Sequence, residues 1–298
     1  MKFLTVCLNP VVQRTYLLAA LKEDGVNRAR RFRVDASGKG VNVTRVLHQL
    51  GERAVLLSQA GGAWRPFFLQ LAARDGLEVE WVDSGTEIRI CFTLLSEEAH
   101  TSTEIVEEAE PVCPATGQDV RERFSALLPG AGMLLLTGTQ APGFSPRLFP
   151  WMVSSAKAQG KAVLLDIRGT DLQLCLAEHP DFIKPNLTEF IHTFFPGNPD
   201  PPQEAVEERM LALSRAGTGV ILTDGERPVR AAFGEKLHRL PVPGIVPVNT
   251  IGSGDAFAAG FSSCWMKTRD AVAAADMGIR CAQWNAGQLR PGSIRPDE

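Results

Sequence analysis

Short runs of consecutive apolar residues alternate along the chain with longer segments in which apolar residues recur at helical spacing. The first run, Leu4 to Leu8, is closed by Asn9-Pro10 and predicts a buried strand. Later runs predict strands over 54–57, 133–137, 162–165, 182–184 and 220–223. Helical spacing predicts helices from about residue 42 to Gly51, near 67–72 before Gly76, and over 145–159, 186–194, 203–215, 254–267 and 270–286. Buried strands that alternate with helices indicate a parallel sheet covered on both faces.

Residues 87–95 follow a different pattern, a strict alternation that is typical of a strand with two unlike faces. The first set is predicted to be buried and the second to face water: Ile88, Ile90, Phe92 and Leu94 against Glu87, Arg89, Cys91 and Thr93. Residues 103–107 are predicted to pair back as an antiparallel hairpin, and 11–37 to hold short exposed strands. We expect these pieces, approximately 11–37 and 86–110, to form a small β-lid beside the central sheet.

Composition excludes several classes of protein. The chain has 298 residues, 44% of them hydrophobic and 22% charged, with a net charge of −3, so bulk charge gives no reason to expect nucleic-acid or membrane binding. No apolar stretch approaches the ~20 residues of a membrane span. The six cysteines lack metal-binding spacing, and we expect them to be reduced in a cytoplasmic protein. The breaker cluster at 196–202 predicts a surface loop, so we expect one domain over 1–298.

The strongest chemical signal is the segment NTIGSGDAFAAG at 249–260. Gly252 and Gly254 let the backbone turn so that several N–H groups point at one spot, and the helix predicted after them adds its positive end. Such a turn suits a phosphate. Asp255 would repel a resting phosphate, which favours a general base for an attacking hydroxyl. The alternative is an ordinary aspartate favoured by the helix dipole, and the segment alone does not decide between them.

The segment T-x-G-S-G-D-A-F resembles the C-terminal signature of the ribokinase-like sugar kinases, the PfkB family. Further matches follow in the family's order along nearly the whole chain: LNP at 8–10, GKGVN at 38–42, EIR at 87–89, TEIVE at 103–107, GT at 138–139 with PG at 142–143, KPN at 184–186 with Glu189, and TDG at 223–225. The opening LNP, the lid segments and Asn249 are similar to the branch that phosphorylates fructose 1-phosphate and tagatose 6-phosphate. The resemblance implies a three-layer α/β/α sandwich with a β-lid and a kinase that uses ATP and Mg²⁺.

The resemblance also implies roles for individual residues. Asp255 would be the base, with the turn Gly252, Ser253 and Gly254 stabilising the phosphoryl group. The residues expected to bind ATP are Lys184, Thr223, Gly225, Gly252, Gly254 and Asn285. Asn186 and Glu189 would hold Mg²⁺, although their spacing equally fits a helix-capping pair. The residues expected to bind the sugar are Gln13, Gly38, Lys39, Asn42, Arg89, Glu104 and Gly138, with Lys39 and Arg89 on its phosphate.

Three positions depart from the branch pattern. Gln13 stands where the branch carries an aspartate that binds sugar hydroxyls, and an amide bonds a hydroxyl without the help of charge. Arg65 stands where a third glycine is usual, and it could narrow the pocket or add a phosphate ligand. Ser37 replaces another usual glycine. A ketohexose phosphate is therefore the expected acceptor, with a different sugar or nucleoside, or a catalytically silent sugar-phosphate binder, as alternatives. The apolar lid face suggests a lid-to-lid homodimer.

Overall fold

The computed structural model describes residues 2–296 and arranges their strands in two separate sheets. The strands are β1 Phe3–Cys7, β2 Val11–Leu18, β3 Arg31–Ser37, β4 Ala54–Ala60, β5 Glu78–Asp83, β6 Arg89–Ser96, β7 Thr101–Val106, β8 Met133–Thr137, β9 Ala162–Asp166, β10 Phe182–Ile183, β11 Gly219–Leu222, β12 Val229–Phe233 and β13 Lys236–Leu240. The helices are α1 Lys39–Gln49, α2 Arg65–Arg74, α3 Thr116–Leu127, α4 Leu148–Ala158, α5 Gly169–Leu176, α6 Leu187–Phe194, α7 Gln203–Arg215, α8 Ser253–Thr268 and α9 Ala271–Ala286.

The larger sheet has nine strands in the order β13-β12-β11-β10-β9-β8-β1-β4-β5. Every pair from β5 to β11 is parallel, and β12 and β13 add an antiparallel edge. Strands β1 and β8 are fully buried, as expected for strands covered on both faces. One core cluster packs against α3 to α7 and another against α1, α8 and α9. This three-layer arrangement confirms the predicted fold class.

The smaller sheet has the order β3-β2-β6-β7 and forms the predicted lid. The predicted phase of β6 is wrong. Cys91 and Thr93 are buried, whereas Phe92 and Leu94 are only half-buried. Strand β2, predicted to be exposed, is largely buried as well. The reason is that the polar-looking face of the lid turns inward over the pocket, where Gln13 Nε2 donates to Thr93 Oγ1.

Other elements escaped prediction or differ in their bounds. Helix α1 begins at Lys39, three residues before the predicted start. Strand β5, helices α3 and α5 and the β12–β13 hairpin were not predicted. The hairpin strands mix apolar residues with Arg and Lys and give no clean period. Within residues 2–296, no helix is both long enough and apolar enough to cross a membrane.

Candidate active site

A pocket of about 630 Å³ lies between the lid sheet and the edge where the central parallel strands end. Side chains at the carboxyl ends of parallel strands converge on one edge, which is where open α/β sheets bind ligands. Asp166 ends β9, and Lys184 follows directly after β10. The N-terminus of α8 closes the same pocket from the other side.

The turn before α8 is held in an unusual backbone conformation. Gly252 is the helix N-cap with φ of 82°, a region that side chains rarely adopt. A Cβ at Gly252 would overlap the backbone nitrogen of Gly292, so this turn packs tightly against the C-terminal segment. Ser253 begins the helix, and Gly254 has Lys184 close to it, since an added Cβ would lie 3.4 Å from Lys184 Nζ. Backbone N–H groups at a helix start next to a lysine make an anion site.

Asp255 lies in the first turn of α8 and is 5% exposed. Its Oδ2 accepts a hydrogen bond of 2.8 Å from Asn42 Nδ2, which joins α8 to α1. Burial raises the pKa of Asp255 to about 7, although Lys39 and the Asn42 amide work in the opposite direction. A carboxylate with this pKa can accept a proton near neutral pH.

Two lysines share one buried carboxylate at the centre of the pocket. Asp166 Oδ1 lies 3.2 Å from Lys39 Nζ, and its Oδ2 lies 3.0 Å from Lys184 Nζ. Lys39 also lies 3.3 Å from Glu189 Oε1. Burial alone would raise the pKa of Asp166, but the two ammonium groups lower it, so the carboxylate stays ionised. The cluster therefore holds two fixed positive charges beside the start of α8.

Asn186 and Glu189 form a capping box at the start of α6. Asn186 Oδ1 accepts from the Glu189 N–H at 2.8 Å, and Glu189 Oε2 accepts from the Asn186 N–H at 3.1 Å. Among residues 2–296 no group of three or more His, Cys, Asp or Glu is arranged to hold a metal. Mg²⁺ typically needs only one or two carboxylates, with water and substrate phosphates completing its shell. The oxygens of Asn186 and Glu189, with Asp166 nearby, fit that requirement.

The lid wall of the pocket carries Gln13, Arg89 and Glu104. Gln13 Nε2 donates to Thr93 Oγ1 at 2.8 Å. Because the amide nitrogen is engaged in this way, the carbonyl oxygen of Gln13 remains as an acceptor. The Arg89 guanidinium donates to the carbonyls of Glu107 and Asn9 at 3.3 and 3.5 Å, both long. Arg89 Nε is buried and has no hydrogen-bond partner among residues 2–296, so the group could accept an anion.

The far end of the pocket is mostly apolar. Thr223 and Gly225 lie there, as expected, and Thr223 forms an isolated bridge with Asn186. The apolar lining comes from the segment after β13 and from α9, neither of which the sequence analysis assigned to a site: Val242, Pro243, Ile245, Pro247, Ile279, Ala282 and Ala286. An apolar slot beside a cationic centre suits a ligand with a flat base and a phosphate chain.

Three expectations do not match these positions. Asn285 is fully buried and is not among the lining residues of the pocket; its Nδ2 donates to Ile251 O and Ser253 Oγ, so it braces the turn before α8. Gly138 lies behind Lys39 and is absent from the lining. Arg65 neither narrows the pocket nor faces it, because it pairs with Asp83 at 2.6 Å and stacks over Trp81.

The remaining residues that the sequence analysis assigned to the site all line this pocket: Gln13, Gly38, Lys39, Asn42, Arg89, Glu104, Lys184, Asn186, Glu189, Thr223, Gly225, Gly252, Ser253, Gly254 and Asp255. Asp166 joins them but was missed. The signal that would have found it is an acidic residue that directly ends a buried parallel strand.

Comparison with known proteins matches the family model described as pfkB family carbohydrate kinase over residues 6–297. A protein described as a possible 1-phosphofructokinase from Thermotoga maritima superposes with a TM-score of 0.90 at 19% identity, covering 100% of this chain and 94% of that one. The tetrameric inhibited form of phosphofructokinase-2 from Escherichia coli gives 0.86 at 19%, with 96% and 94% covered. Ribokinase from Thermotoga maritima gives 0.75 at 16%, with 99% and 96% covered.

Proposed function

Because the chain belongs to the pfkB family of carbohydrate kinases, we propose that it transfers the γ-phosphoryl group of ATP to a ketohexose phosphate. Fructose 1-phosphate and tagatose 6-phosphate are the acceptors we favour, and the product is the bisphosphate. One observation carries the proposal: the Asp255 carboxylate, with a pKa raised by burial to about 7, shares a pocket with two lysines at a helix N-terminus.

In this scheme, Asp255 takes the proton of the acceptor hydroxyl as its oxygen attacks the γ-phosphorus. The bond to the β-phosphate oxygen breaks, and ADP leaves. Backbone N–H groups of Gly252 and Gly254 stabilise the charge on the phosphoryl group in transit, while the Ser253 N–H donates to the Thr250 carbonyl at 3.2 Å and holds the turn. Lys184 adds its positive charge at the same place, because its Nζ lies beside Gly254.

Lys39 serves as a phosphate ligand at the junction of the two substrates. Its ammonium is held by Asp166 and Glu189, and both raise its pKa although burial alone would lower it. The charge is therefore permanent. Since Lys39 Nζ lies 3.3 Å from Glu189, one of the proposed magnesium ligands, we assign it to the phosphoryl group being transferred as well as to the acceptor.

Arg89 is the group we assign to the phosphate already on the acceptor. It stands on the lid wall, its Nε has no hydrogen-bond partner among the described residues, and its other hydrogen bonds are long, so a phosphate gains hydrogen bonds without displacing strong ones. Gln13, Gly38, Asn42 and Glu104 surround the sugar between Arg89 and Asp255.

The nucleotide end is assigned to the apolar slot beside Thr223 and Gly225. Mg²⁺ would be held by Asn186 and Glu189, with Asp166 adding a carboxylate, and would neutralise charge on the ATP phosphates. The protein residues orient the phosphate chain toward Asp255.

We further propose one catalytic domain over residues 1–298 that works in the cytoplasm as a homodimer. All six cysteines are free, as in a reducing compartment. The outer lid face exposes an apolar cluster in which Tyr16 lies between Phe32 and Phe92, with ring centroids 6.2 and 6.4 Å away. In this proposal, a second copy of the chain packs against this face.

The test is ADP release with MgATP on a panel of ketohexose phosphates, free sugars and nucleosides. Turnover on one phosphorylated ketohexose, lost in Asp255→Asn, is expected. Arg89→Ala should then raise KM for that acceptor by about tenfold or more and leave KM for ATP nearly unchanged. Turnover only on an unphosphorylated acceptor would refute the role of Arg89. Sugar-phosphate binding without any turnover would instead indicate a silent binder.

A further inference from the structure

The Asn42 side chain lies at the edge of the pocket in the first turn of α1 and is almost fully buried. It is 4% exposed, and a Cβ at Gly292 would overlap it, so the C-terminal turn packs directly on it. An amide in such a space cannot exchange freely between orientations. What decides its orientation is therefore the set of hydrogen bonds around it.

Two donors converge on the carbonyl oxygen of this amide. Ser37 Oγ donates to Asn42 Oδ1 at 3.1 Å, and Arg45 Nη1 donates to the same atom at 2.9 Å. A carbonyl oxygen can only accept and an amide NH₂ can only donate. Both contacts therefore turn the nitrogen of Asn42 toward Asp255, where it donates to Oδ2.

Arg45 is itself held in place by burial and by several contacts. It is 1% exposed, its Nε pairs with Asp75 at 2.9 Å, and its Nη1 also reaches the carbonyl of Pro291 at 3.2 Å. The Nη2 group donates to the Ala36 carbonyl. An arginine anchored from three directions gives Asn42 a fixed donor, as a planar fork can do and a flexible ammonium cannot.

We propose that Ser37 and Arg45 are positioning residues for the base: they hold the Asn42 amide as a donor to one oxygen of Asp255. The other oxygen, which takes no hydrogen bond from residues 2–296, is then left for the proton of the acceptor. Ser37 stands where related kinases usually carry glycine, and its hydroxyl group helps to orient the Asn42 amide. The inference rests on the proposed function, because positioning matters only if Asp255 is the base.

The charged groups around Asp255 define what these two residues change. Lys39 and Lys184 favour the ionised carboxylate, and Asp166 opposes it. The hydrogen bond from the Asn42 N–H also favours the ionised carboxylate. If the amide turned around, its oxygen would face the carboxylate, and ionisation would become harder. Loss of either donor at Asn42 Oδ1 should therefore move the pH at which the base loses its proton upward.

The first experiment compares Ser37→Ala with Ser58→Ala. Ser58 is equally buried, but its hydroxyl donates to the Cys7 carbonyl and does not touch Asn42. In Ser37→Ala we expect kcat to fall about threefold to tenfold, KM to change less than about twofold, and the acid limb of kcat to move up by about half a pH unit. Ser58→Ala should leave the acid limb in place. A shift of the same size in both variants, or in neither, would overturn the proposal.

The second experiment compares Arg45→Lys with Asp75→Asn. Both weaken the ion pair of Arg45, but only the first removes the bond to Asn42. A merely structural arginine predicts equal pH profiles for the two variants, whereas the proposal predicts an upward shift in Arg45→Lys alone. If Arg45→Lys does not fold, the serine pair still decides.

A direct titration separates this inference from the proposed function. The ¹³C carboxyl resonance of Asp255, assigned by its loss in Asp255→Asn, reports the ionisation of this group without any substrate. An upward shift of its midpoint in Ser37→Ala but not in Ser58→Ala supports the positioning role even if no acceptor is turned over. A normal turnover panel with no shift in this resonance would refute the positioning role and leave the kinase proposal standing.

Discussion

At the scale of single residues, the burial of the Asp255 carboxyl group couples its ionisation to the free energy of unfolding. Burial raises the pKa of Asp255 to about 7. Between the ordinary pKa of an aspartate and about pH 7, the native protein therefore keeps a proton that the unfolded chain has already lost. The contribution of this group to stability is therefore full in acid and is lost as the pH rises to about 7. Above that pH the native state carries a buried charge.

Asp255→Asn tests both the proposed catalytic role of this carboxyl group and its effect on stability. If Asp255 is the base, as proposed, we expect kcat to fall by about 10²- to 10⁴-fold, because nothing else takes the proton of the acceptor hydroxyl. We also expect the variant to be more stable than the wild type at pH 8, by at most about 4 kcal/mol, with the difference vanishing toward pH 4. Denaturant unfolding at several pH values measures it. A variant that is less stable than the wild type at pH 8 would contradict the assigned ionisation.

Thr93 and Thr15 offer a matched pair on the lid. Both are fully buried and face each other in the strand register. Thr93 accepts from Gln13, whereas Thr15 Oγ1 has no hydrogen-bond partner in the part of the chain that the structure describes. We expect Thr93→Val to release the Gln13 amide and raise KM for the sugar by about threefold to tenfold with kcat little changed. Thr15→Val should be neutral, since it removes an unsatisfied hydroxyl. Equal effects of both on KM would refute the role of Gln13.

The residues also show what sequence patterns can and cannot predict. The turn at 252–255 was predictable because glycine spacing, an aspartate and a helix start occur together within a few residues. Asp166 was missed although it directly ends a buried apolar run, because its partners Lys39 and Lys184 lie far from it in the sequence. The sequence also carried no sign that the Asn285 amide bonds the backbone of the turn before α8, because a family position does not reveal the direction of its side chain.

At the scale of elements, helix α6 combines a structural and a proposed chemical task at one end. Its capping box is complete, and the same two side chains are the proposed magnesium ligands. A variant that preserves the cap but changes the ligand charge can separate these tasks. Aspartate caps helices about as well as asparagine.

Asn186→Asp is therefore expected to keep the melting temperature within about 2 °C while changing the Mg²⁺ dependence of turnover. Asn186→Ala should change the Mg²⁺ dependence and also lose about 1 kcal/mol of stability. Asp270→Ala is the control, since Asp270 caps α9 through Val272 and Ala273. It should lower stability without changing the Mg²⁺ titration. An unchanged titration in both Asn186 variants would remove this residue from the magnesium site.

Strand β6 shows why an element can be predicted correctly and still be placed wrongly. Strict alternation identified the strand and its two faces, but a period of two does not say which face will be covered. The covered face carries Cys91 and Thr93 because this face of the lid sheet is turned inward, with Cys91 in the wall of the pocket. The apolar face, with Phe92, is left half-exposed, and that is the face proposed to meet a second copy.

At the scale of the whole molecule, the proposed dimer depends on this outer lid face. Phe32 is 68% exposed and Ile105 is 53% exposed, a cost that burial against a second copy would remove. We expect the wild type to sediment as a dimer at micromolar concentration and Phe32→Glu to sediment as a monomer. Leu174→Glu, at an exposed position on α5, is the matched control and should remain dimeric. A monomeric wild type would refute the lid-to-lid assembly.

The overall architecture was predictable because most of its parallel strands are buried runs separated by helices of ordinary length. The antiparallel edge of β12 and β13 was not, because its residues satisfy neither a strand nor a helix period. The convergence of residues from 13 to 255 on one pocket could be expected only through the family resemblance, since no local pattern links them.

The packing of Gly292 against Gly252 and Asn42 has a consequence for how the protein is made. The proposed base, its amide partner and the phosphate turn are all translated before this glycine, yet their enclosure needs the segment around it. A growing polypeptide on the ribosome would thus carry these groups before the segment around Gly292 could enclose them. ATP met at that stage would find an incomplete site, so phosphoryl transfer should begin only after the segment around Gly292 has left the ribosome and packed against Gly252 and Asn42.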